Sequence, residues 1–80
     1  MKIKVSIAQK KPEKLKIETE FIRLDSALKF ANAVSSGGEA KTAVLDGRVK
    51  VNGETCFQRG KKLRENDKFE FSGVIYEVTK

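Results

Sequence analysis

Histidine is absent from this 80-residue chain, and cysteine occurs only once. The commonest general base and metal ligand of proteins is therefore missing. Cys56 has no partner for a disulfide within the chain, and one thiol without histidine makes a poor nucleophile or metal site. The chain also contains no Ser-His-Asp set, Walker loop or dinucleotide fingerprint. The sequence thus argues against an enzyme, and we expect no catalytic residue, no cofactor and no metal.

Long apolar runs are also lacking. The first eleven residues, MKIKVSIAQKK, interleave lysines with apolar residues, whereas a signal peptide needs an uninterrupted apolar segment. No stretch approaches the length of a transmembrane span. Together with the single cysteine, these patterns predict a cytoplasmic protein that has no membrane partner.

Positive charge is what the chain has in excess. It contains 17 Lys and Arg against 11 Asp and Glu, which gives a formal charge of +6 and an isoelectric point near 9.6. The length fits one small domain, whose apolar residues must nearly all enter a single core. A basic balance on so small a domain favours an anionic partner, with a merely solvated basic surface as the alternative.

Two alternating segments open the chain. Apolar and polar residues alternate from Lys2 to Ala8, and the alternation resumes from Leu15 to Phe21 after a polar turn around Pro12. Alternation with a period of two is typical of half-buried strands. The two segments predict an N-terminal hairpin, with a loosely ordered basic arm as the alternative.

Two short helices are predicted next. Apolar side chains recur at helical spacing over residues 24–34. Ser36 and Glu39 then stand three apart, which is the spacing of a capping box, before a second helix rich in alanine. Small alanines allow the helices to approach closely, and we place Lys29 and Lys41 on the outer surface.

A tight stop and a hairpin follow the second helix. Gly47 suits a left-handed helix end, and Asn52-Gly53 suits a two-residue type I′ turn. Because loop length fixes the register, this turn places Cys56 opposite Val49 on the inward face. We therefore interpret Cys56 as a small core residue.

The segment Arg59–Arg64 carries four cations in six residues. Like charges this close repel one another unless an anion is present, so we favour anion binding over a solvated loop. The one apolar residue of the segment, Leu63, is expected to anchor it.

Aromatic residues alternate with charged ones towards the end of the chain. If Ser72-Gly73 is a second two-residue turn, five side chains share one face: Phe69, Phe71, Val74, Tyr76 and Val78. Such a face could stack nucleic-acid bases. We favour a core role, because a domain this small has few other large residues to fill its interior.

Gly37-Gly38 precedes the second helix, where free backbone N–H groups can receive a phosphate oxygen. The carboxylate of Glu39 would compete with a phosphate there unless the capping box holds it back. This signal is weak by itself.

These features together resemble a known family, the RNA-binding domain named after ribosomal protein S-four, also called the αL motif. The resemblance covers roughly Ile17 to Val78, and it is most specific from Ser36 to Gly53. The chain is most similar to the small stand-alone bacterial members of the YaaA and YbcJ type. The residues that carry it are Arg23-Leu24-Asp25, Leu28, Ser36, Ala40, Leu45, Gly47, Val49, Val51-Asn52-Gly53 and Asp67.

The resemblance implies an α+β fold in which two short packed helices lie on a small, mainly antiparallel sheet. We expect residues 1–16 to add an N-terminal strand or hairpin to an RNA-binding domain over residues 17–78. The implied RNA-binding residues, to which we add the basic segment, are Arg23, Lys29, Ser36, Gly37, Lys41, Arg48, Lys50, Arg59, Lys61, Lys62 and Arg64.

Two positions depart from the family pattern. Gly37 stands where many members have an arginine, so one phosphate contact is missing, and Lys41 with the basic segment must compensate. Asn66 replaces the glycine usual before Asp67, which should alter only the turn.

The expected function is non-catalytic binding of structured RNA, either ribosomal or transfer RNA, by a monomer that can act on the ribosome. The alternative is a protein-interaction adaptor that docks on an acidic ribosomal, replication or RNA-modifying partner.

Overall fold

Nine short elements make up the part of the chain that the computed structural model describes, residues 12–80. They are β1 (Glu13–Lys16), β2 (Ile22–Arg23), α1 (Leu24–Phe30), α2 (Gly37–Leu45), β3 (Val49–Val51), β4 (Glu54–Thr55), β5 (Lys62–Leu63), β6 (Lys68–Phe71) and β7 (Val74–Thr79).

Five of the strands form one mixed sheet in the order β1-β7-β6-β3-β4. Strand β1 runs parallel to β7, and the other neighbours in this sheet are antiparallel. Strands β2 and β5 pair antiparallel as a separate small sheet. The predicted α+β class with a mainly antiparallel sheet is therefore confirmed.

The core lies between the two helices and one face of the large sheet. Strand β6 lies between β3 and β7, and Phe69 pairs with Val51 on one side and Tyr76 on the other. The rings of Phe69 and Tyr76 stack with centroids 4.9 Å apart. Phe69 is 1% exposed and Phe71 8% exposed. The interpretation of these aromatics as core residues is confirmed.

Both predicted two-residue turns are present. Asn52 and Gly53 have φ angles of 51° and 89°, and Ser72 and Gly73 have 55° and 81°. Positive φ at both central residues is the requirement of a type I′ turn. The Cys56 N–H donates to the Val49 carbonyl over 3.0 Å, and Cys56 is half-buried against the core, as predicted.

Helix α2 begins with the predicted cap. The Ser36 hydroxyl accepts from the Glu39 N–H over 3.1 Å. The Glu39 carboxylate accepts from the N–H of Ser35 over 2.8 Å, one residue before the partner that a standard capping box uses. Ala40, Ala43 and Val44 are fully buried, so the face of α2 that packs against the rest of the domain is the alanine-rich face, as predicted.

Helix α2 also ends as predicted. Gly47 has a φ of +74° and donates to the Val44 carbonyl, and Arg48 donates to the Ala43 carbonyl. This pair of hydrogen bonds is a Schellman motif, which satisfies carbonyls that the helix leaves without partners.

The prediction that the first helix reaches Val34 is wrong. Helix α1 stops at Phe30 because Asn32 takes a left-handed conformation with a φ of 60°. Asn32 and Ala33 then donate to the Lys29 and Leu28 carbonyls, which makes a second Schellman end. Val34 remains buried as part of the connection that follows.

The prediction of one strand from Leu15 to Phe21 is wrong as well. Strand β1 ends at Lys16, a bend follows, and the Thr19 hydroxyl donates to the Phe21 carbonyl over 2.8 Å. The chain then enters β2, which belongs to the other sheet. The predicted strand from Lys2 to Ala8, and with it the N-terminal hairpin, lies outside the described residues.

From residue 12 onward, neither helix has the length and apolar character that a membrane span requires.

Candidate nucleic-acid interface

The basic segment Arg59–Arg64 is fixed to the start of helix α1 by its backbone. The Leu24 N–H donates to the Lys61 carbonyl over 2.8 Å, and the Asp25 N–H donates to the Arg59 carbonyl over 3.0 Å. The first N–H groups of a helix have no partner within the helix, so the segment satisfies two of them. These hydrogen bonds hold the segment in one position against α1.

Side-chain packing adds a second attachment. Leu63 is fully buried and pairs with Ile22 across β2 and β5, so the predicted anchor is confirmed. All four cations around it, at positions 59, 61, 62 and 64, are exposed. A buried apolar residue thus holds a run of exposed cations.

Arg23 joins the same group. It pairs with Lys62 in the small sheet, and its guanidinium lies against Gly60, where an added Cβ would be 3.6 Å from Nη2. Asp25 Oδ2 accepts from Arg23 Nη2 over 3.1 Å, so the charge of Arg23 is partly balanced. We call Arg23, Arg59, Lys61, Lys62 and Arg64 the basic cluster.

Phe21 makes contacts that no pattern in the sequence predicts. The Lys62 ammonium lies 4.9 Å from the centre of this ring, and the Arg64 guanidinium carbon lies 5.8 Å from it. Cations over an aromatic face are attracted by the ring quadrupole. Phe21 therefore restrains two of the cluster's side chains, although its place in an alternating segment indicated only an apolar strand position.

Most of the cluster's positive charge is not neutralised. Across residues 12–80, the salt bridges within 4.0 Å are Lys14 to Glu77 and Arg23 to Asp25. The cations of the basic segment have no carboxylate partner among these residues. Four like charges fixed close together favour a polyanion over isolated small anions.

The start of α2 offers backbone N–H groups but few free side chains. Ser36 and Gly37 are exposed, and a Cβ added at Gly37 would meet nothing within 4 Å. The Ser36 hydroxyl and the Glu39 carboxylate are both engaged at the cap, so the carboxylate is held back as the capping box predicted. Lys41 is exposed on the same helix, which packs against α1.

The other three predicted site residues lie outside the basic cluster. Lys29 lines a groove of about 740 Å³ between α1 and the end of β1. The Arg48 guanidinium lies 5.7 Å from the centre of the Phe71 ring. Lys50 alternates with the buried Val49 and Val51, so it lies on the sheet face away from the helices. Within residues 12–80, no salt bridge joins these three cations to the basic cluster.

Three exposed aromatic residues complete the surface. Phe21 is 36% exposed, whereas Phe30 and Phe57 are each 60% exposed. No pattern in the sequence assigns a role to Phe30 or Phe57, and neither belongs to an alternating strand pattern that predicts burial.

The motif residues Asn52 and Asp67 connect the hairpin to the basic segment. Asp67 Oδ1 accepts from Asn52 Nδ2 over 3.2 Å, and Asp67 Oδ2 accepts from the Arg64 N–H over 2.7 Å. Asn52 Oδ1 in turn accepts from the Lys68 N–H over 3.0 Å. Asn66 takes a φ of 80°, a left-handed conformation that glycine adopts without strain. This explains why the family pattern has a glycine at this position.

Comparison with known proteins places this arrangement in a family. The family model for the S4 domain matches residues 15–79, which include both helices, both type I′ turns and the basic cluster. The chain belongs to the S4 domain family. It is also 41% identical over 59 residues to a Bacillus subtilis (strain 168) protein described as probable ribosome maturation protein RlbA. The alignment covers 74% of this chain and 83% of that relative.

Membership of the S4 domain family confirms the resemblance seen in the sequence. The spacing of the motif residues from Ser36 to Gly53 has a physical explanation in one helix cap, one Schellman end and one type I′ turn. The motif residues therefore fix the fold, whereas the charge of the basic cluster indicates which residues would contact a ligand.

Proposed function

We propose that this protein binds structured RNA without catalysing a reaction, and that the basic cluster is its main phosphate-binding element. The observation that carries the proposal is the fixed backbone of a segment beside the start of α1, whose four exposed cations have no carboxylate partner within residues 12–80. Membership of the S4 domain family and the formal charge of +6 support it.

Ribosomal RNA is the target that we favour over transfer RNA. The Bacillus subtilis relative is described as a probable ribosome maturation protein, and the alignment covers most of both chains. This analogy supports a role on ribosomal RNA or on a ribosomal particle, and we propose in addition that the protein acts as a monomer in the cytoplasm.

Recognition in this proposal depends on phosphates and on RNA shape. The major groove of A-form RNA is too narrow for side chains to read, so a rigid array of cations selects the spacing of the phosphates. The exposed N–H groups of Gly37 and Gly38, with Lys41, supply a second contact point at the start of α2. Lys29, Arg48 and Lys50 lie outside the basic cluster and contribute less in this proposal.

Charge reversal tests the proposal directly. The double variant Lys61→Glu, Lys62→Glu should lower the affinity for folded ribosomal RNA fragments about tenfold or more, because two phosphate contacts become repulsive. A filter-binding titration at fixed salt measures the effect. The matched control is Lys16→Glu, Lys80→Glu, which makes the same change of formal charge at two exposed positions outside the cluster.

Equal weakening by the two variants would contradict the proposal, because net charge rather than the cluster would then govern binding. The adaptor alternative predicts a different result. In that case the cluster variant would keep its RNA affinity and lose binding to an acidic ribosomal protein measured side by side.

A further inference from the structure

Phe57 is an exposed aromatic residue with one side packed against the protein. A Cβ added at Gly47 would lie 3.0 Å from Cε1 and 3.3 Å from Cζ of this ring. The ring therefore rests on the backbone at the end of α2, and 60% of the residue is nevertheless exposed. The Cε1–Cζ edge of the ring is supported, while most of the residue is open to solvent.

A cavity of about 500 Å³ lies beside this ring. Its walls come from the β3–β4 hairpin, from residues 56–58 and from Lys61 of the basic cluster. The Asn52 amide is already bound to Asp67 and to the Lys68 backbone, so it is not free to bind a ligand. Thr55, Gln58 and Lys61 bring a hydroxyl, an amide and an ammonium group to the walls, and Glu54 of the hairpin adds a carboxylate.

These groups match the chemistry of one unpaired nucleotide. An aromatic ring that is held on one side can stack on a base, and such stacking contributes about 1–3 kcal/mol per base in single-stranded complexes. An amide offers both a donor and an acceptor to a base edge. Lys61 continues the charged surface into the cavity, so a phosphate next to the stacked base remains in contact with the cluster.

We propose that this cavity binds an unpaired RNA nucleotide, with the base stacked on Phe57, its edge facing Gln58 and its phosphate near Lys61. This inference rests on the proposed function and makes it more specific. The RNA that binds best should contain a bulge or a loop next to a duplex rather than a continuous duplex.

Affinity measurements on Phe57→Ala test the stacking. For an RNA duplex with a central bulge, this change should weaken binding about 5-fold to 150-fold, as expected for the loss of one stacked base. Binding to a blunt duplex of the same length should be unchanged. Phe30→Ala is the matched control, because Phe30 is equally exposed but lines the groove beside α1 instead of this cavity.

Two further variants separate stacking from packing on Gly47. Phe57→Leu keeps an apolar side chain against the helix end and should weaken binding of bulged RNA as Phe57→Ala does, while Phe57→Tyr should bind like the native protein. Thermal melting followed by circular dichroism shows that each variant is folded. Native affinity of Phe57→Leu for bulged RNA would overturn the proposal.

Fluorescence gives an independent measurement. The chain contains no tryptophan, so Phe57→Trp introduces a single tryptophan at the cavity, whose emission can be excited selectively over that of Tyr76. Saturation with bulged RNA should quench its emission, whereas saturation with blunt duplex should leave the emission nearly unchanged. Equal quenching by both RNAs would overturn the assignment of an unpaired base to this site.

The results also distinguish this inference from the proposed function. If Lys61→Glu, Lys62→Glu abolishes binding of both RNAs while Phe57→Ala binds both like the native protein, only the nucleotide site is wrong. If the native protein binds neither RNA, the proposed function fails and the nucleotide site fails with it.

Discussion

Asp67 should be the most destabilising residue to truncate among the exposed and half-buried polar residues of this domain. Its carboxylate accepts from Asn52 Nδ2 over 3.2 Å and from the Arg64 N–H over 2.7 Å. The first hydrogen bond fixes the β3–β4 hairpin, and the second fixes the end of the basic segment. Asp67→Ala removes both at once and leaves two donors without a partner.

The expected cost follows from these two hydrogen bonds. A hydrogen bond to a charged group contributes about 1.5–3 kcal/mol to stability. Asp67 is half-buried, so water can partly replace the lost partners, and we expect Asp67→Ala to lower the free energy of unfolding by about 2–3 kcal/mol. For a domain of this size, that loss corresponds to a fall in Tm of roughly 10–20 °C.

Urea unfolding followed by circular dichroism measures this change, because small single domains usually unfold in two states. The matched control is Asp46→Ala, which removes the same charge from an exposed residue at the end of α2. A loss below about 0.5 kcal/mol for Asp67→Ala, or an equal loss in both variants, would refute the role of the Asn52–Asp67–Arg64 connection.

Two further predictions concern stability. Gly47→Ala should destabilise the domain by more than about 1 kcal/mol, because the position has a φ of +74° and the new Cβ would lie 3.0 Å from the Phe57 ring. Thermal melts measure the change, and Gly37→Ala is the control because the space around Gly37 is open. Equal effects of the two substitutions would contradict the contact between Gly47 and Phe57. The hydrogen bond from Lys14 holds the pKa of Glu77 below its ordinary value of 4.5, so this carboxylate stabilises the folded state above that pH and loses its contribution as the pH falls through the lowered pKa. The difference in Tm between the native protein and Glu77→Gln should therefore be small at pH 7, since Lys14 is largely exposed, and should shrink further near pH 3. A difference that does not depend on pH would show that the ion pair is not its cause.

The features that the sequence predicted correctly are determined by a few neighbouring residues. A left-handed φ at Gly47 and the two type I′ turns require residue types that tolerate positive φ, and these stand out in a single sequence. The Ser36 cap depends on a residue only three positions away. Leu63 was recognised because one apolar residue among cations has little reason to be exposed.

The features that the sequence did not predict depend on residues far apart in the chain or on backbone conformations that a residue type permits but rarely adopts. Strand β1 ends early because its partner is the C-terminal strand β7, and nothing near Lys16 indicates a parallel pairing with Thr79. Asn32 ends α1 by adopting a conformation that asparagine tolerates but does not require. The contacts of Phe21 with Lys62 and Arg64 join segments about forty residues apart, so no spacing in the sequence could reveal them.

In the candidate site, too, local sequence features were predictable and long-range arrangement was not. Counting cations singled out Arg59–Arg64, but it could not separate this segment, whose backbone is fixed to α1, from cations elsewhere on the surface such as Lys50. Alternation along β3 places Lys50 on the outer sheet face, which becomes informative only when the position of the helices is known.

The salt dependence of RNA binding tests the central claim most directly. If four to six phosphates are contacted, log K for a folded ribosomal RNA fragment should fall with log salt concentration with a slope between about −3 and −5. In Lys61→Glu, Lys62→Glu the slope should be shallower by about 2, or about 1 for each lysine, while Lys16→Glu, Lys80→Glu should keep the native slope. A native slope near zero, or an identical slope in all three proteins, would contradict phosphate binding by the basic cluster.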